Sequence, residues 1–242
     1  MRLPTIQGII ERRLLINFVA EPEYVQQILP APFRPKLYKG KSIAGICLIR
    51  FKQLRPKGFP EFLGISSENG AHRIAVEWEE KGRMQQGVYI PRRDTSLKLN
   101  TLLGGRLFPG KHYLAKFNVV TDQDHYHIDF TSSDQMHLAI DARKTDQFAT
   151  DSIFETLANV SAFFEQGSIG YSPNGDCYEG LQLQTRQWQV QPLKVERIRS
   201  AFFEDRNIFP EGSIQFDNAI LMENIVHEWK VLPPIRKDTS RS

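Results

Sequence analysis

A chain of 242 residues, 40% hydrophobic and 24% charged, is long enough for one large domain or two small ones and can bury a substantial core. It offers no run of 18 uncharged apolar residues to cross a membrane. Its 31 basic and 28 acidic residues, formally +3, are spread without the basic, aromatic-interleaved stripe that nucleic-acid binding needs, so neither a membrane nor a nucleic acid is an expected partner.

Residues 1–20 mix Arg2, Glu11, Arg12 and Arg13 into the apolar positions, unlike a secretory signal. Only Cys47 and Cys177 are present, without a CxxC pair, so neither a disulfide framework nor a thiolate zinc site is expected and a cytoplasmic setting is.

In chain order, residues 9–19 have the β-branched and apolar enrichment of a strand, and Glu21-Pro22 opens a short helical pattern stopped by Pro30, Pro32 and Pro35. Residues 42–51, SIAGICLIRF, are apolar on both alternating faces, which predicts a strand covered on both sides. After a Pro- and Gly-rich loop at 55–64, strands are predicted at 71–79 and 86–91, then a short helical piece, TSLKLNTLL, ending at Gly104-Gly105. Strands resume at 112–121, 125–131 and 137–142, the first two joined by Asp122-Gln123-Asp124.

Residues 152–166 predict a helix, with Ser152 and Glu155 as a capping box and Gly167 to end it. Strand patterns return at 181–204 and 213–231, and 236–242 reads as a polar, frayed tail behind a single domain, 1–235. Strands outnumber helices without βαβα alternation, so the expected class is mainly β (α+β): a closed or nearly closed antiparallel structure with a few covering helices.

Three apparent motifs carry chemistry. Gly105, Gly110 and Lys111 in GGRLFPGKHYLA match the start of a phosphate-binding loop, but His112 stands where Ser or Thr would hold magnesium, and HYLAKFNVV continues as a strand rather than a helix. His125, His127 and Asp129 share one face of a strand and form a generic zinc or iron ligand set, with His137 as a distant fourth; because the opposite face, Tyr126, Ile128 and Phe130, is the apolar one, the polar face of a hairpin is the preferred reading. Glu68, Arg73 and Arg106 lie beside or within Gly-rich segments, where an arginine fork binds a carboxylate or forms a surface ion pair.

Taken together, ILPAPFRP, GISSENGAHRIAV, GGRLFPGKHYLA and FFEDRNIFPEGSIQFDNAILMENIVHEW resemble the uncharacterised branch of the acetoacetate-decarboxylase-like superfamily over most of residues 8–231. The resemblance implies a cone-shaped, largely antiparallel β-barrel around a small-molecule cavity, and self-association. In the decarboxylases of that superfamily a Gly-Arg segment leads to Pro-Lys-Lys-Leu-Ala, whose first Lys forms a Schiff base; acetoacetate decarboxylase is itself a standard example of an activated lysine. Matching Gly105-Arg106 and Leu114-Ala115 to that pattern places His112 and Tyr113 at the lysine pair.

The expected function is therefore a small-molecule-binding protein or enzyme lacking the Schiff-base lysine, without a cofactor. Its ligand is small and oxygenated or carboxylated, held by Arg73 or Arg106 with Glu68, while His112 and Tyr113 serve as acids or hydrogen-bond donors. Alternatives are a Schiff-base lyase using Lys111 and a metal-dependent enzyme using His125, His127 and Asp129. His112 and Tyr113 point to opposite faces of their strand, and the sequence leaves open which face meets the cavity.

Overall fold

The apolar runs become strands whose burial follows their pattern. The computed structural model describes residues 5–98, 110–185 and 187–237. Strand β1 (Ile6–Ala20) alternates buried and half-buried residues in its first half and is buried throughout its last seven. A short helix α1 (Pro22–Ile28), with Pro at its first turn, and two two-residue strands, β2 (Arg34–Pro35) and β3 (Leu37–Tyr38), lead to β4 (Lys41–Pro56). Ser42 to Ile49 of β4 are all buried, as expected of a strand covered on both faces.

β5 (Ile65–Glu80) and β6 (Arg83–Thr95) form a hairpin through Lys81-Gly82, both at positive φ, the backbone that a tight two-residue β-turn requires. β7 (His112–Asp122), β8 (His125–Ser132) and β9 (His137–Lys144) follow as a meander. A helix α2 (Leu157–Gln166) precedes β10 (Ile169–Asn174), β11 (Cys177–Thr185), β12 (Gln191–Ser200) and β13 (Ile214–Arg236).

Hydrogen bonding closes on itself. Starting from β1, neighbours run β4, β5, β6, β7, β8, β9, β12, β13 and back to β1, while the β10–β11 hairpin connects β6 to the far end of β13. All these pairings are antiparallel except β6 with β7 and β6 with β10. The long central strands are buried on both faces, so two cores form rather than one. Leu14, Ile16, Ile46, Leu48, Ile74, Ile128, Phe130 and Ile140 belong to the first. Leu15, Ile43, Cys47, Ala71 and Ile90 belong to the second, which α2 covers with Val160, Phe163 and Phe164. Closure and burial on two faces remove open edges that would otherwise pair with other chains.

The expected helix at 152–166 starts later than its sequence suggests. Thr156 is the N-cap and accepts from the Asn159 amide, whereas the Ser152 hydroxyl donates to Asp217 Oδ2 at 2.7 Å and Glu155 sits at positive φ. The local capping box loses to a tertiary acceptor, while Gly167 ends the helix as predicted. The last strand outruns its predicted end at 231: Arg236 still pairs with Cys177, and the Lys237 amide donates to the Asp176 carbonyl. Of the predicted helical piece TSLKLNTLL, residues 99–103 lie outside the described residues, and Thr95 belongs to β6.

Candidate functional site

Register builds the site. Across β4, β5, β6 and β7, Cys47 pairs with Ala71, Ala71 with Arg93 and Arg93 with His112, so these side chains form one row on one face. Arg73, two residues along from Ala71, pairs with Gly45; Arg13 of β1 lies diagonally from Cys47, which pairs with Leu15. The small Ala71 leaves space in the middle of the row. These residues, with Ile49, Leu181 and Trp229 at the apolar wall, line a cavity of about 80 Å³, room for several waters or a ligand of a few heavy atoms.

Three guanidiniums border that cavity, and none forms an ion pair with a carboxylate among the described residues. Arg13 donates from Nε to Cys47 Sγ at 3.1 Å and from Nη1 to Met222 Sδ at 3.8 Å. Arg73, 4% exposed, donates to Asn17 Oδ1 and lies 4.1 Å from the Phe164 ring centroid, leaving its buried Nε without a hydrogen-bond partner. Arg93 donates from Nε to Ser172 Oγ at 3.2 Å. Asp94 also borders the cavity, but its carboxylate is taken by Arg92 at 2.7 Å and by the Ser132 hydroxyl at 2.6 Å.

Burial pushes Arg73 and Arg93 down to about 10, against the raising influence of the Cys47 sulfur on both. Both remain cationic at neutral pH. Burying a charge without a counter-ion is costly.

His112 joins the arginines. Burial, and then Arg93, lower it to about 4, so the ring is neutral at pH 7. Its Nδ1 is 3.1 Å from the Gly110 carbonyl, to which the neutral ring donates, leaving Nε2 with a free lone pair. Gly110 is required there: it sits at φ +93°, and a Cβ would lie 2.6 Å from the Ser172 Cβ.

The question of which face of β7 meets the cavity is thus answered by position. His112 lines the cavity, whereas Ala115 of the Tyr113 face is buried in the first core with Phe117 packed against it. The Tyr113 ring stacks under Arg92 at 4.0 Å, and Lys111, exposed, holds its ammonium 4.8 Å from the same ring. Glu68 faces away from the cavity, paired with Arg12 at 2.7 Å and close to Arg50 at 3.7 Å. Burial raises its carboxyl, with Arg12 and Arg50 opposing. Arg106 lies outside the described residues.

The histidines of the β8 hairpin have partners of their own. His127 Nδ1 lies 2.6 Å from Asp141, and Asp129 pairs with His137 Nε2 at 2.9 Å, so the β8–β9 pairing brings together two residues the sequence left apart. Among the described residues no group of three or more His, Cys, Asp and Glu is placed to hold a metal ion. No helix among them is long and apolar enough to cross a membrane.

Arg13, Arg93 and Cys47 were not singled out in the sequence. Their signal is faint but physical: each interrupts an apolar strand pattern on the face that Arg73 also occupies. Only the pairing of β1, β4, β5 and β6 shows that the four positions converge.

The closed ring of strands is similar in fold to acetoacetate-decarboxylase-like proteins of known structure. An acetoacetate-decarboxylase-like enzyme from Sphingomonas wittichii matches 98% of this chain and 94% of its own at TM-score 0.60 and 10% identity. Acetoacetate decarboxylase from Legionella pneumophila matches at TM-score 0.59 and 14% identity, over 95% of this chain and 87% of its own. An enduracididine biosynthesis enzyme complexed with pyruvate matches at TM-score 0.56 and 9% identity, over 98% of this chain and 91% of its own. The chain itself belongs to the DUF2071 family, described as an uncharacterized conserved protein, whose model matches residues 10–218. No curated protein sequence matches it.

Proposed function

We propose that the cavity binds a small carboxylate, with Arg73 and Arg93 as the charged contacts and His112 Nε2 as the hydrogen-bond acceptor beside them. The observation that carries this reading is the set of guanidiniums, Arg13, Arg73 and Arg93, that border one small cavity without an ion-pair partner among the described residues. A carboxylate supplies the missing charge and accepts from a planar fork through two oxygens. The apolar wall of Ile49, Leu181 and Trp229 accommodates a short carbon skeleton, and the small volume favours acids of a few carbons over larger metabolites. His112, neutral and backed by Gly110, suits accepting a hydrogen bond from a bound hydroxyl.

A stability screen at constant ionic strength tests this. Acetate, propionate, pyruvate and acetoacetate should raise the unfolding midpoint, because a ligand that prefers the native state stabilises it, while the corresponding amides and alcohols should not. Equal shifts with acids and amides, or none with either, overturn the carboxylate reading.

A further inference from the structure

The residue at the centre of the arginine cluster is a thiol, and carboxylate binding alone gives it no task. Cys47 is 4% exposed and lines the cavity. Arg13 Nε donates to its sulfur at 3.1 Å, and the sulfur is close enough to Arg73 and Arg93 to act on the charge of each. Electropositive surroundings with access from a cavity are those in which a cysteine reacts, whereas a thiol wholly enclosed by apolar groups is inert. A second feature points to a ligand in the same space: Arg73 Nε, on a side chain 4% exposed, has no hydrogen-bond partner among the described residues.

Cys177 is the contrasting cysteine of the same chain. It is half-buried at the start of β11, its sulfur donates to the Asn174 carbonyl at 3.4 Å, and its charged neighbours are mainly acidic. Burial, then Glu179 and Asp176, push its thiol up, with only Lys237 opposing.

We propose that Cys47 is a nucleophile of this cavity, directed at small carboxylates whose electrophilic carbon is C2 or C3, attached to the carboxylate carbon or one position further along. The proposal rests on the reading of the cavity as a carboxylate site. The guanidiniums hold the carboxylate, and the sulfur sits in the same row of side chains, within reach of the ligand's first carbons. With a 2,3-unsaturated acid, a sulfur lone pair forms the S–C bond at C3, the π pair moves to C2, and the thiol proton ends on C2. With a 2-halo acid, the sulfur displaces the halide, which leaves with the bonding pair while the proton goes to solvent. Neither step consumes an oxidant, a reductant or a cofactor.

Iodoacetate and iodoacetamide, nearly equal in size and different in charge, separate a guided thiol from a merely accessible one. The native full-length protein is treated with limiting reagent near neutral pH, and both cysteines are quantified by peptide mass mapping. The iodoacetate-to-iodoacetamide labelling ratio at Cys47 should exceed that at Cys177 by about tenfold or more, the lower end of what a focused positive cleft gives. Added acetate should slow labelling at Cys47 and leave Cys177 unchanged. A ratio at Cys47 equal to or below that at Cys177 overturns the proposal, as does Cys47 that labels only after denaturation. Stabilisation of a Cys47→Ser variant by acetate keeps the two readings apart. If it persists while charge selectivity at Cys47 of the wild type is absent, the nucleophile fails and the carboxylate site stands; if both are absent, both fail.

Discussion

Arg92 and Arg93 are consecutive residues of β6, yet their surroundings are opposite. Arg92 faces the first core, where Asp94 and Asp134 accept from it at 2.6 to 3.1 Å, and these carboxylates hold its guanidinium above the usual arginine range in spite of burial. Arg93 faces the cavity with Ser172 as its hydrogen-bond partner and is lowered to about 10. The alternation of a β-strand sends two identical side chains to the two faces, and each face gives its arginine a different use. Where the chain supplies the counter-charge, the arginine is structural; where it does not, the carboxylate proposal gives it a ligand.

The largest expected effect comes from breaking the paired side. Arg92→Met leaves Asp94, fully buried, with the Ser132 hydroxyl as its remaining side-chain donor among the described residues. Stripping one partner from a buried ion pair costs about 3–5 kcal/mol, read as a lowered urea midpoint. A loss below about 1 kcal/mol would show that the pair does not hold this face together.

A smaller effect follows from acid. His72 on the paired face is lowered to about 3, and His112 at the cavity to about 4, burial being the first cause of each. A depressed folded pKa means that the unfolded chain binds more protons between the two values. Stability is therefore complete above about 6.5 and falls as the pH drops toward 4. His227, also lowered to about 4 by burial, contributes in the same window; Glu68 and Asp94, both raised by burial, oppose the loss at its acidic end. His112→Asn should flatten the acid limb by about 1.4 kcal/mol per pH unit in this window, measured by urea unfolding across pH. An unchanged slope would mean that His112 is not held neutral at the cavity.

Much of the scaffold was legible because burial on two faces writes long apolar runs. The β4 segment 42–51 was predicted as a covered strand and is one, and His112 to Asp122 forms the predicted strand after the Gly-rich stretch. β10 was not predicted: its six residues include Gly170 and Pro173, which weaken a strand pattern. Of the candidate site residues, Arg73 and His112 line the cavity, and Glu68 does not, since a one-residue offset on β5 turns it to the other face. The convergence of Arg13, Cys47 and Arg93 depends on pairings between segments far apart in sequence. Local pattern contains no signal for such register.

The smallest effect on stability and the sharpest on function belong to Arg93. Arg93→Met removes a cation that has no ion-pair partner among the described residues, so the urea midpoint should move by less than about 1 kcal/mol, unlike the change at its neighbour. The most direct measurement is a calorimetric titration of wild type and Arg93→Met with pyruvate and with its amide at constant ionic strength. The wild type should bind the acid in preference to the amide, and the variant should lose about tenfold or more of that affinity, the weight of one charge-assisted contact. Equal affinity in the two proteins, or no preference of the wild type for the acid, would contradict the assignment of the unpaired arginines to a carboxylate.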